Sequence, residues 1–298
     1  MRLRFLALVF CLSCASGWAA FQDLDLDARS AGMGGASIDT IASLGLAEGF
    51  VLSFTHSSIF SDLVRGELLR ASLPFGRFAS LGLWLSLVRD SDGVYKEESY
   101  ALGYAIRPAA NFSLGVAVKM MRTRLNEGLE TVRSNPYIVR SSSSAFTIDL
   151  GVSATPTENL MIGISLHNAL PAKTSLSEEG EDIPTLARAF ISYKLASLAP
   201  AVQQAAMRRV LSGTIGVAEL SQRADQTTLK LGLESGIGGV GAIRFGYSYS
   251  GGAIQPGSSF SFGLGLRLSH LRVDYAYQVA VGDLVENSSH RISSSLEF

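Results

Sequence analysis

The feature that most limits what this chain can fold into is a period of two that runs almost unbroken from about residue 50 to the C-terminus. Between Ser259 and Leu268, Phe260, Phe262, Leu264, Leu266 and Leu268 share one side, while Ser261, Gly263, Gly265 and Arg267 share the other. Asn111 to Met120 repeats the arrangement, with Phe112, Leu114, Val116, Val118 and Met120 opposed by Ser113, Gly115, Ala117 and Lys119. Successive strand side chains point to opposite faces, so such alternation over about ten residues describes strands with one apolar face. Soluble sandwiches alternate too, but with shorter strands and a more charged outer face. Here the second face is Gly, Ser and an occasional charge, which suits the packed or water-filled interior of a transmembrane barrel.

Composition supports that choice. The chain is 47% apolar and 17% charged with a mean hydropathy of +0.25, the opposite of a disordered chain's balance. Beyond the N-terminus no stretch approaches the ~18–20 apolar residues of a spanning helix. The formal net charge of -1 gives no field that would attract nucleic acid.

Residues 1–19 read as a secretory signal: Arg2 and Arg4 open it, Phe5 to Cys14 form the apolar stretch, and Gly17-Trp18-Ala19 is a small-x-small cleavage site. Cys14 after Leu12-Ser13 raises a lipoprotein reading, against which stands Cys11 at the position where an aliphatic residue belongs. Both cysteines lie in this segment, so the mature chain is expected to have no disulfide, thiolate metal site or cysteine nucleophile.

The alternation predicts fourteen strands, at 50–57, 65–75, 78–89, 98–107, 111–122, 144–154, 159–167, 186–195, 210–220, 226–235, 241–250, 258–268, 271–279 and 289–298. Connections after even-numbered strands are mostly short (Gly76-Arg77, Ser269-His270), whereas those at 90–97, 123–143, 168–185 and 280–288 are long. That asymmetry is typical of outer-membrane barrels and puts both termini on the periplasmic side. One connection departs from it: residues 197–209 read as a helix capped by Ser197, with Pro200 in its first turn. It is expected to be a spacer across the barrel mouth, with a partner-docking helix as the alternative. The terminal Phe298, on a strand with Leu296 and Ile292 at even steps, looks like the signal read by the barrel-insertion machinery. The last strand must pair with the first, because lipid tolerates no open edge.

Two segments go beyond pattern. Asp27-Ala28-Arg29-Ser30-Ala31-Gly32-Met33-Gly34-Gly35-Ala36 opens the mature chain, and Val273-Asp274-Tyr275-Ala276-Tyr277 with His290-Arg291-Ile292-Ser293 closes it. With Ile148-Asp149-Leu150-Gly151, Leu160 to Asn168 and Ile243-Arg244-Phe245-Gly246-Tyr247, they resemble the PorV/PorQ family of FadL-like outer-membrane barrels, which includes spirochaetal paralogues. The resemblance implies an all-β, closed antiparallel transmembrane barrel of about fourteen strands over 50–298. It also implies a short N-terminal hatch in the lumen, within 20–49, carried by Arg29, Gly32, Met33, Gly34 and Gly35. Arg29 is expected to pair with an inward acid, Asp149 or Asp274. It implies a barrel-closing motif of Asp274, Tyr275, His290, Arg291 and Phe298. One departure stands out: Leu46-Ala47-Glu48-Gly49 replaces the Asn-Pro-Ala motif usual in FadL-like relatives.

Catalytic and metal signals are weak. His56, His167, His270 and His290 show no metal-ligand spacing, and Ser141 to Ser144 read as a solvated loop run. Gly236 to Gly241 precedes a strand rather than a helix and reads as a turn rather than a phosphate loop. The expectation is a non-enzymatic barrel with no cofactor and no metal. The resemblance implies FadL-like binding or transport of hydrophobic small molecules such as long-chain fatty acids, with Leu125, Leu129, Tyr137 and Ile138 of loop 123–143 as candidate ligand contacts. The alternatives are a PorV/PorQ-like component of type IX protein secretion and a purely structural barrel. Expected partners are outer-membrane lipids, the insertion machinery, and a hydrophobic small molecule or secreted cargo, in the outer membrane of a Gram-negative-type bacterium. On this assignment of faces Leu266→Arg is costly, while Gly265→Ser is tolerated unless the hatch packs against it.

Overall fold

The structure is a computed structural model that describes residues 27–47, 49–178, 180–252, 257–281 and 288–298. The signal expected over 1–19 lies outside the described residues. In chain order the strands are β1 Val51–Ile59, β2 Val64–Phe75, β3 Ala79–Asp90, β4 Tyr95–Ala109, β5 Phe112–Leu125, β6 Ser142–Thr157, β7 Leu160–His167, β8 Ala172–Thr174, β9 Glu181–Ile183, β10 Leu186–Lys194, β11 Thr214–Arg223, β12 Gln226–Ile237, β13 Gly241–Gly251, β14 Gly257–Leu268, β15 Leu271–Val281 and β16 Ser288–Glu297. All but β8 and β9 form one closed antiparallel barrel of fourteen strands. It closes where β1 meets β16, from Val51 opposite Glu297 to Ile59 opposite Ser289. The Phe298 amide donates to the Phe50 carbonyl at 2.9 Å beyond the last strand pair, and its ring stacks on His270.

Each strand keeps the alternation read from the sequence. Phe262, Leu264 and Leu266 stand exposed on the outer wall, and Ser261 and Asp274 are buried inside. An apolar face open to the surroundings has to meet hydrocarbon, and a polar interior has to satisfy itself. The strands toward the long-loop rim run further than expected: β4 begins at Tyr95 and β6 at Ser142. The loop 168–185 holds the β8–β9 hairpin, whose Ala172 and Ile183 pack with Met121 and Ala145 at the external end of β5 and β6.

The expected helix over 197–209 is corrected. A 3-10 turn spans Leu195–Ala201 with Pro200 inside it, and an α-helix follows only at Ala205–Ser212. Proline disfavours α geometry in the residue before it, so Ala199 cannot seed an α-helix there. Ser197 does not cap; its hydroxyl meets that of Tyr193 at 2.7 Å. The strand expected from 210 therefore starts at Thr214. Tyr193 lies in phase with exposed Ile191, and Thr214 with exposed Leu220, on the outer wall. The Thr214 hydroxyl, on that outer side, bonds the Val210 carbonyl at 2.7 Å.

Candidate functional site: the luminal segment and its cavity

Residues 27–47 run inside the barrel. Asp27 accepts from the Ser30 amide at 2.7 Å and caps a short helix, α1, Ala28–Gly32. Burial alone would raise the Asp27 carboxyl, but the Arg70 guanidinium and the Ser30 amide outweigh it and hold it below its ordinary value. A 3-10 turn follows at Ala42–Leu46. The helix lies against β13–β16 and the turn against β3–β6.

The two ends are held by different chemistry. At α1, Arg29 grips Glu234 with two parallel hydrogen bonds, 2.7 and 2.8 Å. Glu234 also accepts from Arg244 at 2.6 Å, Arg244 reaches Asp274 at 2.9 Å, and Arg272 reaches Asp274 at 2.8 Å. The expected Arg29 partners, Asp149 and Asp274, are thus corrected to Glu234. Asp274 is occupied by Arg244 and Arg272, and Asp149 sits on Lys119 at 2.8 Å. Further along, the Ser37 amide donates to Glu219, which is fully buried between Arg188 at 2.7 Å and Lys230 at 3.0 Å. Such buried clusters persist only when every charge has a partner.

At the other end, Ile41 and Leu44 are buried with Ala105 and Ala117, and the half-buried Trp84 packs against them. They fit because the inward positions beneath them are glycines. A Cβ on Gly115 would stand 2.6 Å from the Ile41 backbone, and one on Gly103 would stand 2.3 Å from the Ile41 side chain. The opposite wall repeats the device: a Cβ on Gly246 would stand 1.9 Å from the Gly34 nitrogen. Gly34 itself has a φ of 76°, which disfavours any side chain there.

The other sequence-selected residues separate. Met33 is buried over Gly232, and Gly32 approaches Gly263. Of the closing motif, Asp274 and Arg291 point into the lumen, whereas Tyr275 and His290 meet on the outer wall at 2.7 Å. Leu125 ends β5, Leu129 precedes the short helix Glu130–Arg133, Tyr137 is 80% exposed and Ile138 is half-buried. None of the four lines the luminal cavity. That cavity, about 340 Å³, extends from Glu97 and Asn168 near the long-loop rim to Val51 and Glu297 near the short-turn rim. Its walls mix charged groups with apolar ones, among them Ile41, Trp84, Met121 and Leu186.

One triad-like chain occurs in the lumen. The Ser165 hydroxyl lies 3.2 Å from His167 Nε2, and His167 Nδ1 lies 3.2 Å from Asp149. Ser165 is buried and is not among the residues that line the cavity, whereas His167 and Asp149 are. The His167–Asp149 contact joins β7 to β6. Among the described residues no cluster of His, Cys, Asp and Glu could hold a metal.

Comparisons with known proteins agree with this architecture. The P. putida toluene transporter TodX is 12% identical, with a TM-score of 0.64 over 93% of this chain and 99% of that one. The CymD monoaromatic hydrocarbon channel is 15% identical, with a TM-score of 0.59 over 93% and 98%. A Pseudomonas aeruginosa FadL homologue is 12% identical, with a TM-score of 0.59 over 95% and 97%. At these identities the likeness concerns the fold. Comparison with curated proteins finds no match by sequence. The family model that matches, over residues 58–296, describes the type IX secretion system membrane protein PorP/SprF rather than PorV/PorQ. The chain belongs to the PorP/SprF family of outer-membrane barrels.

Proposed function

We propose that this protein is a plugged, non-enzymatic outer-membrane barrel that serves type IX protein secretion as a scaffold or cargo shuttle rather than as an open pore. Residues 20–49 are the hatch and 50–298 the barrel, once the segment 1–19 is removed. The observation that carries this reading is the family match over 58–296, taken with a luminal segment fastened to both walls. A segment held by a buried multi-ion cluster at one end and an apolar nest at the other has no low-cost way to swing aside. Deleting the gene should strand secreted cargo in the periplasm; normal export would overturn the proposal.

A second reading is favoured by the fold shared with hydrocarbon channels and by the cavity beside the hatch. In it the barrel binds or passes a hydrophobic small molecule, with Leu125, Leu129, Tyr137 and Ile138 as first contacts. Saturable binding of a lipophilic probe that disappears on deletion of 123–143 would support it, and undiminished binding would count against it.

A further inference from the structure

The outer wall carries a row of charge where apolar side chains end. On β2 to β5 the outward row Leu69, Leu85, Tyr100 and Met120 is apolar, as are the rows below it. Four residues further toward the external rim, Arg65 stands directly opposite Arg89, Arg89 opposite Lys96, and Lys96 opposite Arg124. Four cations thus lie side by side on four adjacent strands, all in phase with the lipid-facing residues. Like charges directly across a strand pair destabilise a sheet.

The row beneath compensates only in part. Glu67 takes Arg89 at 3.2 Å, and Glu98 takes Lys96 at 2.7 Å and Arg124 at 3.2 Å. Arg122 stands in the same lower row, opposite Glu98. Five cations therefore face two carboxylates, an excess of three. The cations keep their heads open: the side chains of Arg89, Lys96 and Arg124 are 48%, 39% and 42% exposed.

We propose that this row docks phosphorylated lipid headgroups of the external leaflet. Charge complementarity selects an anion with several phosphate oxygens, because planar guanidinium groups pair with phosphate through parallel hydrogen bonds. Position selects a lipid over a soluble anion. The row continues upward from the hydrocarbon-facing surface, so acyl chains can lie on Leu69, Leu85 and Tyr100 while the phosphates meet the cations. Bound phosphates replace the repulsion along the row with attraction and tie four strands together at the rim.

The test uses the full chain in neutral detergent micelles, titrated with fluorescent bisphosphorylated lipid A and with its dephosphorylated form. Binding should require the phosphates. It should weaken at least about tenfold when Arg65, Arg89, Lys96 and Arg124 are all changed to Gln, since each cation near an anionic lipid surface adds to the attraction. Arg267→Gln, at the opposite rim, should bind as the parent does. Should the fourfold variant fail to fold, Lys96→Gln alone should still weaken binding several-fold. Equal binding of the dephosphorylated lipid, full competition by inorganic phosphate at matched concentration, or unaltered affinity of the Gln variants would each overturn the proposal.

Discussion

The luminal segment is attached at two places that could hardly differ more. On the β12–β15 wall Arg29, Glu234, Arg244, Asp274 and Arg272 form a chain of ion pairs. On the β3–β6 wall Ile41 and Leu44 lie on glycines beside Trp84. The ionic anchor depends on every member being present, because removing one partner leaves another charge buried and uncompensated. The apolar anchor has no such interdependence and loses only the contacts of the atoms removed. One wall is therefore specific and fragile, the other forgiving.

The largest effect should come from the ionic side. Glu234→Ala leaves Arg29 and Arg244 facing each other and should cost about 3–5 kcal/mol, read as protease release of the N-terminal segment at lower denaturant. Ile41→Ala should cost about 2–3 kcal/mol and show no dependence on salt. A larger loss at Ile41 than at Glu234 would reverse the ranking of the two walls. Gly265→Ser sharpens the contrast. Its lumen-facing phase predicts tolerance unless the hatch packs there, and a Cβ would lie 2.6 Å from Asp274 and 2.7 Å from Arg244, whose ion pairs continue to the hatch's Arg29. It should cost about 1–2 kcal/mol in thermal unfolding. Last, a fluorophosphonate probe should leave Ser165 unlabelled; stoichiometric labelling would show that the lumen opens to it and that the Ser165–His167–Asp149 chain is more than a link between β6 and β7.

The barrel was legible because strand geometry imposes a period of two, and lipid outside makes that period visible in nearly every strand. Phe262, Gly263 and Leu264, for example, report their faces residue by residue. The partner of Arg29 was not legible, since Glu234 lies 205 residues away and periodicity says only which way a residue points. The inward phase of β12 did contain the clue: Lys230 and Glu234 interrupt its small residues. The same signal marks Glu219 and Arg188, both missed. The loop residues Leu125, Leu129, Tyr137 and Ile138 lay where alternation stops, so nothing constrained their mutual placement. The three-residue strands β8 and β9 are too short to display a period at all.

The family match and the motif resemblance point to the same kind of barrel while differing in subfamily.

Counted around the ring of fourteen, the walls that receive Ile41 and Arg29 stand almost diametrically opposed. The segment between them is consequently a tie-beam. Flattening the cylinder along that diameter would buckle it, and stretching the cylinder would pull on both attachments at once. Its mechanical office is to keep a thin, hydrogen-bonded tube round under lateral pressure from the bilayer, whatever else passes or docks there.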